Sequence, residues 1–190
     1  MARRALVPIT TPIHTSLPSS PLDGQVIDYL ADSTNGIVWR LRYRSGSSSS
    51  YKWEFVGGSA LSSQIMTSEG TSSSTVVDLA TVGPVITIPL AGDYDFIGTA
   101  MIGTTAAAGA YGDGMLVAGP NGGPFNALDA ADFGRSMDSS ASSGINADII
   151  FDRRRTIATA GWLAKMQYRS GGTSVTFAGR RLTALPVRVG

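Results

Sequence analysis

The chain of 190 residues has no cysteine and one histidine, His14. The first absence excludes disulfide staples, thiolate metal sites and cysteine nucleophiles together. The second excludes histidine-rich metal centres and leaves any Ser-His-Asp set dependent on His14. That residue sits between Ile13 and Thr15 in a proline-punctuated stretch, with no rigid scaffold around it. Glutamate is nearly absent, only Glu54 and Glu69, so a glycosidase pair would have to be built mainly from aspartates. Charged residues make up 15% of the chain, against about a quarter in an average soluble domain. Fifteen Lys and Arg against fourteen Asp and Glu give a formal net charge of +1, without the excess of basic charge on which nucleic-acid affinity depends. Long apolar runs are missing too. Leu79 to Leu90 is broken by Gly83, Pro84 and Pro89, and Arg3-Arg4 is followed by an apolar stretch that Pro8 ends. The sequence therefore predicts neither a membrane span nor a secretory leader. No enzyme, no cofactor, no nucleic-acid partner and no membrane association are expected.

What is present is Ser, Gly, Thr and a recurrent two-residue alternation. Pro8, Pro12, Pro18 and Pro21 punctuate residues 1–21. Proline fixes φ and biases its predecessor towards extended geometry, so this stretch reads as an extended arm. Leu6, Val7, Ile9, Ile13 and Leu17 give the arm apolar side chains to bury on a partner.

Residues 22–58 read as a hairpin module. Trp39, Leu41 and Tyr43 alternate with Arg40, Arg42 and Arg44, and Tyr51, Trp53 and Phe55 alternate with Lys52 and Glu54. Each run is a strand with one aromatic and one charged face. Ser45 to Ser50 reads as a flexible loop between them. Pairing Tyr43 with Trp53 and Leu41 with Phe55 sets Arg42 opposite Glu54, whereas a slide by two sets Arg42 opposite Lys52, an unfavourable pair of like charges. The first register is expected. An isolated hairpin is marginal in water, so a third strand is needed, from Gln25 to Ala31 or from a neighbouring subunit. Trp39 and Trp53 should face inward or into an interface. Arg40, Arg42 and Arg44 should face the other way, as a solvated face or a docking face for an acidic neighbour.

Residues 61–190 hold eight or nine further β-prone runs: Thr75 to Leu79, Val85 to Pro89, Tyr94 to Ile102, Met115 to Ala118, Ala147 to Phe151, Thr156 to Ala160, Trp162 to Arg169, Val175 to Gly179 and Leu182 to Val187. That spacing predicts an antiparallel jelly-roll-like sandwich with its own core. Asn126 to Phe133 could form one or two helical turns, and Gly103–Gly109 and Ser136–Gly144 read as loops. The fold class is all-β: arm, hairpin module, then sandwich. Gly119 to Pro124 lacks the Lys-Ser/Thr ending of a phosphate loop. Arg153-Arg154-Arg155 reads as a strand-edge or turn cluster, since charged edges block unwanted pairing. Asp93, Asp95 and Asp113 are oxygen ligands of the type that holds Ca²⁺, but no EF-hand loop surrounds them.

Ser20-Pro21-Leu22-Asp23-Gly24-Gln25, the strand Gly36 to Arg44 and Tyr51-Lys52-Trp53-Glu54-Phe55-Val56-Gly57-Gly58 together resemble a module in virion proteins of tailed bacteriophages. The remainder, with Gly92-Asp93-Tyr94 opening a strand and Phe177 to Val189 closing the chain, resembles trimeric jelly-roll or tumour-necrosis-factor-like heads. These resemblances imply a structural protein of the phage particle, a head fibre or decoration protein, that assembles as a homotrimer in the host cytoplasm and is located in the virion. Residues 1–58 would attach it to capsid or tail proteins and the β-domain would project. The alternative is a tail-fibre or receptor-binding protein that recognises a host-surface glycan through an exposed aromatic platform such as Trp162 or Tyr111.

Overall fold

The computed structural model describes residues 12–104, 111–127, 133–137, 146–171 and 174–190. Among them every regular element is a strand: β1 (Ile13–His14), β2 (Val26–Asp32), β3 (Ile37–Tyr43), β4 (Trp53–Gly58), β5 (Leu61–Ile65), β6 (Glu69–Thr71), β7 (Val85–Thr87), β8 (Gly92–Thr104), β9 (Tyr111–Gly119), β10 (Asn126–Ala127), β11 (Phe133–Met137), β12 (Asn146–Ile157), β13 (Leu163–Ser170) and β14 (Val175–Val189). The all-β class expected from the alternation is what the chain forms.

Two sheets pack face to face. The larger runs β1-β2-β3-β4-β14-β8-β12, with β6, β5 and β4 laid in turn along one edge of β14 and β8 along the other. The smaller runs β10-β9-β13-β7, and β11 shares with β10 one edge of β9. Pairing is antiparallel except for β1 on β2, which is parallel. Period-2 alternation supplies the inner faces: Tyr94, Phe96, Ala100 and Ile102 of β8 point inward, and Leu116, Met166 and Tyr168 meet them from the smaller sheet. The rings of Tyr168 and Phe177 bridge the layers at 4.8 Å. Each Leu- or Phe-sized side chain buried in this way contributes about 1.5–3 kcal/mol.

The hairpin register is the one charge complementarity selects: Tyr43 pairs with Trp53, Leu41 with Phe55 and Arg42 with Glu54. The third strand is β2 of the same chain. The expected boundary between residues 58 and 61 falls between β4 and β5, which follow one another along the same edge of β14. Trp39 and Trp53 accordingly join one core cluster with Leu182 and Val189.

Several elements differ from expectation. The two strands placed at Ala147–Phe151 and Thr156–Ala160 are one strand, β12, which runs through Arg153-Arg154-Arg155. It stays extended because it pairs with β8 throughout, and Arg154 clamps Asp95 opposite it with both Nε (2.7 Å) and Nη2 (2.8 Å). The arginine run thus lies on the terminal strand of the sheet and not in a turn. Val175–Gly179 and Leu182–Val187 are likewise one strand, β14, carrying two register shifts. Gly179 adopts φ +56°, the left-handed region that glycine enters without steric cost. The extra residue there reverses the alternation, so Val175 and Phe177 face inward before it and Arg180, Leu182 and Ala184 after it. Thr75–Leu79 makes only a bridge, Val77 to Tyr168. The Ser- and Gly-containing β5 and β6 carry too little apolar residue to announce themselves. Asn126–Ala127 pairs with β9 as a strand and not as a helical turn. Residues 128–132, and the loop positions 105–109 and 138–144, lie outside the described residues. Gly119–Pro124 is a turn, closed by Gly123 N–H donating to Pro120 O at 3.0 Å.

Candidate attachment surface

The sequence-predicted residues separate into three groups. Leu6, Val7 and Ile9 lie outside the described residues. Trp39 and Trp53 face inward as the alternation requires, and this chain itself encloses them. Trp39 is 0% exposed, ringed by Tyr29, Phe55 and Tyr94 at 6.2–6.4 Å, and its Nε1–H donates to Ser59 O at 2.9 Å. Trp53 stacks edge-on against Tyr43 at 5.3 Å. Leu17 is half-buried against the same core, so it is partly used within the chain, and surface remains to Ile13 and the arginines.

Ile13 and His14 lie against Asp28 and Tyr29 of β2, where they form the outer edge of the larger sheet, and Ile13 is 57% exposed. The chain then turns back so that Leu17, Pro18 and Pro21 reach the end of the hairpin. There, with Tyr43, Trp53 and the terminal Gly190, they line a notch of about 260 Å³.

Arg40, Arg42 and Arg44 occupy the opposite face. Arg40 forks onto Asp28, with Nε and Nη2 donating at 2.9 and 3.1 Å. Arg42 donates to Glu54 Oε2 from Nε (3.1 Å) and Nη2 (2.6 Å), and Arg44 Nε reaches the same oxygen at 3.4 Å. Arg188, which the sequence reading did not single out, joins them from β14. Its Nη2 stands 3.9 Å from Glu54 Oε1 and its Nη1 donates to Ser47 Oγ at 3.0 Å. No local signal marks Arg188, because only the pairing of β14 with β4 brings it opposite Glu54. The hydrogen bonds from Arg42 hold the Glu54 carboxyl below the ordinary glutamate range. Asp23 is held below its usual range by Ser45, whose backbone N–H and hydroxyl both donate to Oδ1.

The Ser45–Ser50 loop is more ordered than its composition suggests. Besides the Asp23 contacts, Ser49 N–H donates to Ser47 Oγ, Tyr51 N–H donates to Ser49 Oγ, and Lys52 Nζ donates to Ser47 O. Serine hydroxyls satisfy the backbone that flanking strands would otherwise have paired.

Elsewhere, a polar depression of about 490 Å³ opens between the β2–β3 turn, β5 and β7, with Asp32, Asn35, Ser62 and Thr87 in its wall and no aromatic residue. Trp162 is half-buried against the core, and no described aromatic side chain is exposed. Asp95 is taken by Arg154. Asp93 accepts from Thr156 Oγ1 at 2.5 Å, and Asp113, on the other sheet, accepts from Arg169 Nε at 2.7 Å. Among the described residues no three metal-ligating side chains converge.

No family model and no curated protein matches the sequence. Among the solved structures to which the chain is similar are the following two. The chain is 8% identical to Eiger TNF from S. frugiperda, with a TM-score of 0.48 over 69% of this chain and 94% of that one. It is 12% identical to the VP2 subviral particle of infectious bursal disease virus, with a TM-score of 0.40 over 90% of this chain and 41% of that one.

Proposed function

We propose that this chain is a structural protein of a tailed-phage particle, a capsid-attached fibre or decoration protein whose N-terminal part makes the attachment. The observation that carries the reading is the arm at the edge of β2. Two residues tie it to the sheet, Ile13 stays exposed, and the sequence ahead of it supplies Leu6, Val7 and Ile9. An extended, proline-punctuated segment loses little conformational entropy when it settles on another subunit. The virion-module resemblance of residues 20–58 supports the same reading. So does the use of aromatic residues as core and not as a stacking platform, which weighs against the glycan-binding alternative.

Immunogold labelling of density-purified particles from a culture encoding this chain tests it. Regularly spaced label on capsids supports attachment to the head. Particles that lack the protein by labelling and by mass spectrometry overturn the reading. A homotrimer is expected for the free protein, because closed symmetric assembly buries edges and apolar arms. Sedimentation showing a monomer at micromolar concentration would count against it.

A further inference from the structure

The hairpin end holds more cations than its own carboxylates satisfy. Arg42, Arg44 and Arg188 gather round Glu54, Asp23 lies beside Arg44, and Lys52 Nζ is held on the Ser47 carbonyl of the same turn, four positive groups against two negative, in a chain whose net charge is only +1. Arg42 uses its fork on Glu54. Arg44 makes one long contact to it and Arg188 one bond to Ser47. An arginine has five N–H donors, so both keep most of theirs for solvent, and their side chains are 43% and 30% exposed. Together with Asp23, Gly46, Ser47 and Glu54, itself neutralised by the Arg42 fork, they line a cleft of about 360 Å³. The notch of Leu17, Pro18, Pro21, Tyr43 and Trp53 lies across the same hairpin end, and the Lys52 stem lines its wall.

We propose that this end of the hairpin is a docking surface for an acidic segment of another protein, which sets a carboxylate between Arg44 and Arg188 and an apolar side chain in the notch. The proposal names the partner chemistry of the attachment reading and rests on it. An arginine fork matches the two oxygens of a planar carboxylate, as Arg40 on Asp28 already demonstrates on the same face. An excess of two charges suits one or two carboxylates. It is poor for a phosphate polyanion, whose affinity grows with the number of uncompensated cations. Arginine and aromatic residues beside an apolar pocket are also what protein interfaces concentrate.

The test uses the full chain, isotope-labelled, titrated at low salt with a short peptide of alternating Glu and Leu. Expected are shifts in the Arg44 and Arg188 side-chain Nε–H signals and in amides 44–54. Affinity should fall at least about tenfold in the Arg44→Gln/Arg188→Gln double variant and stay unchanged in Arg181→Gln, outside the cluster. A peptide that perturbs none of these signals in the native protein overturns the proposal without recourse to any variant. So does a sulfated oligosaccharide that binds here when the peptide does not. Finding the chain in particles while the peptide fails would remove this inference and leave the attachment reading standing.

Discussion

Arg180 lies fully buried over the ring of Tyr168, its guanidinium carbon 5.6 Å from the ring centroid, with Nη2 donating to Glu69 at 2.9 Å. Its remaining bonds go to the carbonyls of Thr81 and Thr67, and its Nε–H has no partner among the described residues. A buried cation is tolerated only while its counter-ion is present. Glu69→Ala should therefore destabilise the protein more than Arg180→Met, which removes the charge and keeps the stem packed. Urea unfolding midpoints decide it, and the reverse order would mean that the pair contributes little beyond packing.

Acid should unfold the protein through its paired carboxylates. The hydrogen bonds from Arg42 on Glu54, Arg40 on Asp28 and Arg154 on Asp95 all hold those carboxyls below their ordinary values. The unfolded chain then binds protons more readily than the folded one. The stability they contribute is complete above the ordinary carboxylate range, about pH 4, and is lost as pH falls through the depressed folded values. Glu54→Gln should flatten the acid limb of thermal midpoint against pH. At the other extreme, burial pushes Tyr94 and Tyr168 well up. Stability should therefore also decline once pH passes the ordinary tyrosine value, about 10. An alkaline limb that stays flat would contradict their burial.

Gly98 sits where a Cβ would run into the Phe151 ring of β12. Replacing it with Ala should cost about 1–3 kcal/mol as overpacking. That outweighs the gain of about 0.4–1 kcal/mol from a stiffer unfolded chain. Phe151→Leu in the Gly98→Ala background should cost less than Phe151→Leu alone. Additive losses would show that the two positions do not press on each other.

Trp53 closes the hairpin end of the core against Tyr43, so Trp53→Ala should destabilise by about 3–5 kcal/mol. A loss below about 1 kcal/mol by denaturant titration would mean that the aromatic face is wet and would return weight to a glycan-binding role.

Alternation and charge along the chain were enough to settle the local pairing. Alternation in β3 and β4 assigned Trp39 and Trp53 to one face and the arginines to the other, and the charges of Arg42, Lys52 and Glu54 chose among registers. Both decisions involve neighbours joined by a short loop, where a slip of two residues places like charges together. Tertiary structure decided what depends on strands distant in the chain. The bulge at Gly179 reverses the inward parity of β14, and the second shift, between Pro186 and Arg188, restores it for Val189. An extra residue in a strand leaves no periodic signal, because the alternation on either side of it is intact. For that reason a reading by period divided β14 in two, left Arg180 without a place in the core and gave no reason to bring Arg188 to Glu54.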